Sequence, residues 1–197
     1  MHIRIAVPTD APSIAALHAA SWRIAYRGAL SDEYLAGDIL SERNSIWAER
    51  FFSPPPNQYV AVAEIDNQLV GFACAYAGHD ARWGTLLDNI HVVHALQRQR
   101  IGTQLMSSVA SWCALNHPHE GLFLWVLKSN APAQRFYENL GAVKAGSDIW
   151  SPPGGGAIPR FRYAWQNVET LLEKVANMAF ERDAPKAARP STLRCAS

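Results

Sequence analysis

The sequence is poor in the features that mark several large protein classes. It has only three cysteines in 197 residues. Cys74, Cys113 and Cys195 are widely spaced, and no CxxC pair occurs. That excludes a disulfide framework or a zinc ribbon and points to reduced thiols in a cytoplasmic protein, with Cys74 and Cys113 as small buried hydrophobes. Seven histidines show no ligand spacing, so no metal is expected. Basic and acidic residues number 18 and 17, for a net charge of +1, which gives no electrostatic case for nucleic acid or an anionic membrane. No apolar run approaches the roughly 18 residues of a membrane span. The opening stretch MHIRIAVPTDAP lacks the apolar centre of a signal peptide, and no long-period repeat is visible.

What is present suits one well-cored domain: 49% of the residues are hydrophobic and 18% charged. A short strand is expected over Ile3 to Val7. Thr9 or Asp10 caps a helix running to about Tyr26, with Ile14, Leu17, His18 and Ser21 on one face. A second helix spans Ser41 to Phe52 and stops before Pro54-Pro55-Pro56. The period then changes to that of strands at Tyr59 to Ile65, Leu69 to Ala77 and Thr85 to Val93, separated by turn signals at Asp66-Asn67 and Gly78 to Gly84, which reads as an antiparallel meander. Gly102 to Asn116 is a helix with Ile101, Leu105, Val109, Trp112 and Cys113 as its apolar stripe. Leu122 to Leu127 is a buried strand, and Asn130 to Leu140 a helix closed by Gly141. Val143 to Trp150 and Ile158 to Trp165 form a last strand pair around the loop Ser151 to Gly156. The order is α+β, a mixed, mostly antiparallel sheet of about seven strands centred on those flanking the Gly102 helix. Residues 1–166 form the domain, 167–182 an amphipathic helix and 183–197 a flexible tail.

The most informative segment runs from Asp88 to Thr103: a buried strand, a polar loop, then a helix start. Such a junction aims unpaired N–H groups and the positive end of a helix dipole at one spot, which suits an anion. Arg98 and Arg100 add charge and Thr103 a hydroxyl. A solvated polar turn between two core elements would read the same way, and the loop is poor in glycine.

A second segment, Asn130-Ala131-Pro132-Ala133-Gln134-Arg135-Phe136-Tyr137-Glu138-Asn139-Leu140-Gly141, bears on that choice. Together the two resemble the GNAT N-acetyltransferase superfamily. Gln97-Arg98-Gln99-Arg100-Ile101-Gly102 follows the family's Gln/Arg-x-x-Gly-x-Gly/Ala loop, except that Arg100 stands at the first glycine. Asn130, Ala133, Phe136, Tyr137 and Gly141 match the later pattern throughout. The resemblance covers about Ile3 to Trp165 and implies a three-layer α/β/α GNAT fold with acetyl-CoA as co-substrate. It implies that Ile90, His91 and Val92 bind the pantetheine arm through their backbone, and that Gln97, Arg98, Gln99, Arg100, Ile101, Gly102 and Thr103 hold the pyrophosphate. Asn130 would contact the cofactor, or serve only as a helix cap. Tyr137 would return a proton to the leaving thiolate, although core packing also accounts for it.

Arg100 is the departure: its side chain must turn outward, where it contacts phosphate from the rim or weakens binding. Asp88, taken to share a strand face with Ile90 and Val92 and to oppose His91, is the candidate general base. Trp125 fills the strand position where the family often has an acid. Trp22 and Tyr26, in a stretch resembling the family's Trp-x-x-x-Tyr-x-Gly, would wall an acceptor amine or simply pack the core. The implied activity is acetyl transfer from acetyl-CoA to a primary amine of a small molecule or peptide. A non-catalytic acetyl-CoA-binding module and an unrelated nucleotide-binding α+β scaffold are the alternatives. The oligomeric state stays open, a homodimer included.

Overall fold

The computed structural model describes residues 1–152 and 156–183. Strand β1 (His2–Ile5) leads into helices α1 (Ala11–Ala25), α2 (Asp32–Ala36) and α3 (Ile39–Phe52). Then follow β2 (Gln58–Ile65), β3 (Gln68–Asp80), β4 (Gly84–Val92), α4 (Ile101–Asn116), β5 (Leu122–Leu127), α5 (Ala131–Asn139), β6 (Val143–Trp150), β7 (Ile158–Trp165) and α6 (Val168–Asp183). The seven-stranded sheet has the order β1-β2-β3-β4-β5-β7-β6. Every neighbouring pair is antiparallel except β4 and β5. The α+β class, the meander and the central place of β4 and β5 match the sequence reading.

Differences from that reading have local causes. The short α2 carries no long apolar period to announce it; Ser31 caps it by accepting the Tyr34 N–H at 3.2 Å. β3 runs past Gly78 to Asp80, where the strand is carried by pairing with Gly84. Asp10 stands at the start of α1, but its carboxylate binds the Val7 N–H and Arg4 instead of the helix. Trp112 flanks the buried stripe of α4, its ring stacked on Tyr59 at 4.9 Å, whereas Ile101, Leu105, Val109 and Cys113 are fully buried. The tail expected over 183–197 lies outside the described residues except for Asp183, as do residues 153–155 of the β6–β7 loop.

Two cores result, one on each face of the sheet. On one side α4, α5 and α6 cover Ala73, Ala75, Leu87, Leu122, Leu124 and Tyr163. On the other, α1 and α3 cover Val60, Val62, Phe72 and Cys74 with Ile14, Leu17 and Trp47. A third cluster joins Trp22 and Ile39 to Leu127 and Ile158, so the end of α1 reaches across to the second half of the sheet.

Two irregularities in β4 position the site. Cys74 faces Asn89 but Ala75 faces Leu87, so Asp88 is an extra, bulged residue. At the start of the strand Gly84 (φ +74°) packs so tightly that a Cβ would lie 2.6 Å from the Gly121 carbonyl oxygen. That contact, with the Thr85 N–H donated to the same oxygen at 2.9 Å, closes one end of the β4–β5 pair.

Candidate active site

From that closed end β4 and β5 diverge. Their parallel pairing is limited to Thr85 with Leu122 and Leu86 with Phe123, although β4 continues to Val92 and β5 to Leu127. Once parallel strands part, their facing N–H and C=O groups stand open to an extended guest, which can pair with them as a further strand would.

The wedge leads to the β4–α4 loop. Here Arg98 (φ 64°) and Arg100 (φ 65°) both adopt left-handed backbone, and Arg100 is the N-cap of α4 without any side-chain cap bond. Among the described residues the backbone N–H groups from Arg98 to Thr103 have no hydrogen-bond acceptor. Six successive uncapped donors at the positive end of a 16-residue helix form an anion cradle built from main chain alone. A Cβ on Gly102 would meet Phe136 at 3.4 Å, so this glycine also lets α5 approach α4.

Arg100 does turn outward. Its guanidinium donates to the Met178 carbonyl at 2.8 Å, tying the loop to α6 and leaving its charge off the cradle. Asn130 caps α5, its Oδ1 accepting the Ala133 N–H at 3.2 Å. Tyr137, about two turns further along α5, is 8% exposed and packs near Phe136 and Trp165. Its hydroxyl has no partner among the described residues. Burial, helped by the nearby Tyr26 phenol, pushes its pKa well above that of a free phenol, so it stays protonated throughout the working range.

The bulge corrects the expected facing of Asp88. One extra residue reverses the alternation, and Ile90 and Val92 join the α4-side core. Asp88 turns instead toward α3, accepting from Arg50 at 2.8 Å, beside Asn89, which also meets Arg50 at 3.4 Å. His91 follows on that same face, its ring 4.8 Å from His18 and 5.3 Å from Phe72. Burial lowers His91 to about 4, with Arg43 adding to the effect. Burial likewise lowers His18 to about 2, abetted by His91 and the arginines. The His18 Nδ1 accepts the Trp47 indole N–H at 3.1 Å, so both imidazoles are neutral at pH 7.

Trp22 and Tyr26 come together, ring centroids 4.6 Å apart, with Trp150 of β6 edge-on to both. Trp22 is buried at 6% exposure and roofed by Arg43 at 4.3 Å, whereas Tyr26 is half-buried. Burial pushes the Tyr26 phenol up to about 12, reinforced by Asp88 and opposed by Arg43 and Arg160; those charges share its surroundings. Sequence reasoning missed Arg43, Arg50, Trp150 and the arginines of β7, since only tertiary packing brings them to this place. A groove of about 580 Å³ lies elsewhere, against Ile3, Tyr59, Ser108, Trp112, Leu115 and Val175, and shares no residue with the wedge or its loop.

The acetyltransferase (GNAT) family model matches residues 17–142, more than half of the chain and the whole of the wedge. The chain belongs to the GNAT acetyltransferase family. Among its relatives, this GNAT protein is 28% identical to the Mycobacterium tuberculosis protein named "Probable N-acetyltransferase Rv2775", over 83% of this chain and 92% of that one. Its fold is similar to that of YncA from Salmonella typhimurium, solved with acetyl-CoA (TM-score 0.62, 18% identity, 84% and 93% of the two chains covered). It is similar also to PaiA N-acetyltransferase from Thermoplasma acidophilum, solved with coenzyme A (TM-score 0.59, 19% identity, 81% and 98% covered). Among the described residues of this GNAT chain no group of metal-ligating side chains gathers, and no helix is long and apolar enough to cross a membrane.

Proposed function

We propose that the protein transfers an acetyl group from acetyl-CoA directly to a primary amine. The observation that carries this reading is the pairing of the splayed β4–β5 wedge with six unpartnered N–H groups at its mouth. A diphosphate suits the cradle formed by Gln97 to Thr103, because main-chain donors and a helix dipole hold an anion without requiring a glycine at 100. The backbone of Ile90, His91 and Val92 is then free to pair with an amide-bearing arm. Asn130 and Tyr137 border the same space from α5. YncA and PaiA support the assignment of acetyl-CoA, since each was solved with a coenzyme A species.

In the reaction the amine nitrogen bonds to the acetyl carbonyl carbon, the carbon–sulfur bond breaks, and the amine loses one proton while the thiolate gains one. Tyr137 is the proton donor. Its buried phenol is a weaker acid than a free one, so transfer to a thiolate of pKa near 8.5 is uphill before substrate fills the cavity. Asp88 receives the amine's proton. The bulge puts its carboxylate on the acceptor face, and Arg50 holds it in place. Tyr26, backed by Trp22 and Trp150, lines the approach of the acceptor. Free, buried Cys74 and Cys113 support placement in the reducing cytoplasm.

The test is release of coenzyme A thiol from acetyl-CoA with an amine panel, with products identified by mass. Turnover of an amine establishes the reading. Micromolar acetyl-CoA binding, about −8 kcal/mol, with no turnover of any amine would favour the non-catalytic module.

A further inference from the structure

The charges around the acceptor wall are not all paired. Three carboxylates there are paired to arginines: Glu42 to Arg43 (and to the Tyr34 hydroxyl), Asp88 to Arg50, and Asp148 to Arg160. A fourth, Asp80, accepts the Arg82 and Trp83 backbone N–H groups and feels the charge of Arg162 without a salt bridge to it. Four arginines face them, and Arg162 has no carboxylate partner among the described residues. Arg162 lies opposite Trp125 on the β5–β7 ladder. Its guanidinium is seated among three aromatic rings, 4.5 Å from Trp125, 5.2 Å from Trp83 and 5.6 Å from Phe123. Aromatic faces fix the plane of a guanidinium but satisfy none of its N–H groups.

Two buried side-chain polar atoms lack a hydrogen-bond partner among the described residues. Both are arginine nitrogens, Nε of Arg162 and Nε of Arg43. Arg43 is 5% exposed and stacked on Trp22 on the helical side of the site, while Arg162 lies on the sheet side. A buried donor left unpaired at the edge of a binding site is what a missing acceptor group leaves behind. At the strand position where the family often has an acid stands Trp125, whose ring lies 4.3 Å from the Arg160 guanidinium and 4.5 Å from that of Arg162.

We propose that the acceptor is an amine that also carries a carboxylate, and that Arg162 reads that carboxylate. This rests on the acetyltransferase reading above. Trp83 and Phe123, against which the guanidinium lies, precede Asp88 and Trp125 by a few residues. At about 3.3 Å per strand residue, the anionic group sits on the order of 7 Å or more from the reacting amine. Acceptors with a second amine in place of the carboxylate meet acids already bonded to arginines or, at Asp80, to backbone N–H groups.

The experiment compares dipeptides and ω-amino acids of three to six carbons with their carboxamides. It measures kcat/KM for acetylation and, separately, calorimetric binding of the same pairs to the enzyme saturated with coenzyme A. The expected result is a preference of tenfold or more for the free carboxylate, strongest at the longer spacings. Arg162→Gln brings the ratio below about threefold through the acceptor KM and leaves acetyl-CoA affinity unchanged; Arg162→Lys keeps part of the preference. Equal binding of acids and amides to the wild-type protein, or a ratio untouched in Arg162→Gln, overturns the proposal. Binding without turnover of either form instead overturns the catalytic reading and leaves the carboxylate preference measured.

Discussion

Replacing Arg100 by alanine and by glycine separates two quantities that this residue combines. Its backbone is left-handed at φ 65°, which costs an L-residue about 1–2 kcal/mol. Against that strain stands the bond from its guanidinium to the Met178 carbonyl, 2.8 Å long and partly buried, worth about 1.5 kcal/mol at the low end for a charged donor. Alanine loses the bond and keeps the strain, so Arg100→Ala should destabilise by about 1.5 kcal/mol. Glycine also loses the bond but escapes the strain, offset by roughly 0.5–1 kcal/mol of extra freedom in the unfolded chain. Arg100→Gly should therefore lie about 0.5–1 kcal/mol above the alanine variant, a difference of roughly 1–4 °C in Tm for a chain of this size. Chemical denaturation with fitted midpoints reads both. Calorimetry of acetyl-CoA at two salt concentrations reads the second consequence: with the guanidinium held by α6, Arg100→Gly should change Kd less than about threefold and leave the salt slope intact, whereas loss of a direct phosphate bond would cost about tenfold or more. A glycine variant less stable than alanine would refute the strain argument. A tenfold weaker Kd with a flattened salt slope would show that the side chain leaves Met178 for the phosphates.

Three further outcomes follow from the geometry. Tyr137→Phe should lower kcat roughly 10²-fold with acetyl-CoA affinity nearly unchanged; normal turnover per folded molecule would assign the residue to packing alone. His91 and His18 are neutral in the fold and titrate at about 4 and 2, below the 6.5 of an unfolded histidine. Their stabilisation is therefore complete above pH 6.5 and lost as pH falls toward 4 and beyond, by about 2 kcal/mol for half-buried His91 after solvent screening. His91→Phe should flatten the fall in Tm between pH 6.5 and 4, and an unchanged slope would place the acid sensitivity elsewhere. Gly84→Ala would put a Cβ 2.6 Å from the Gly121 carbonyl oxygen at φ +74° and should destabilise by about 2–4 kcal/mol; a variant within 0.5 kcal/mol of wild type by urea titration, roughly the noise of a surface change, would mean that the closed end of the wedge yields easily.

The sequence by itself determined every long element and pointed to the family, while the short α2 left no mark on it. Apolar periodicity marks β2 to β5 and α4 because burial on one face is a local, repeating property, and the Asp66-Asn67 turn takes the left-handed backbone (φ 51° and 60°) that such residues tolerate. The loop proposed to hold the cofactor was legible too, since uncapped donors follow from a polar loop at a helix start. Tertiary structure alone decided which way Asp88 faces, because a bulge depends on register with β3 and leaves no mark on strand composition. It also decided the partner of Arg100, 78 residues away on α6, and the meeting of Arg43 of α3 with Trp22 of α1 on one side and Arg162 of β7 with Trp125 of β5 on the other. Periodicity reports whether a residue is buried. Which charge lies beside it, and which donor is left unpaired, is settled only when distant elements pack, and the specificity proposed for this site rests on those contacts.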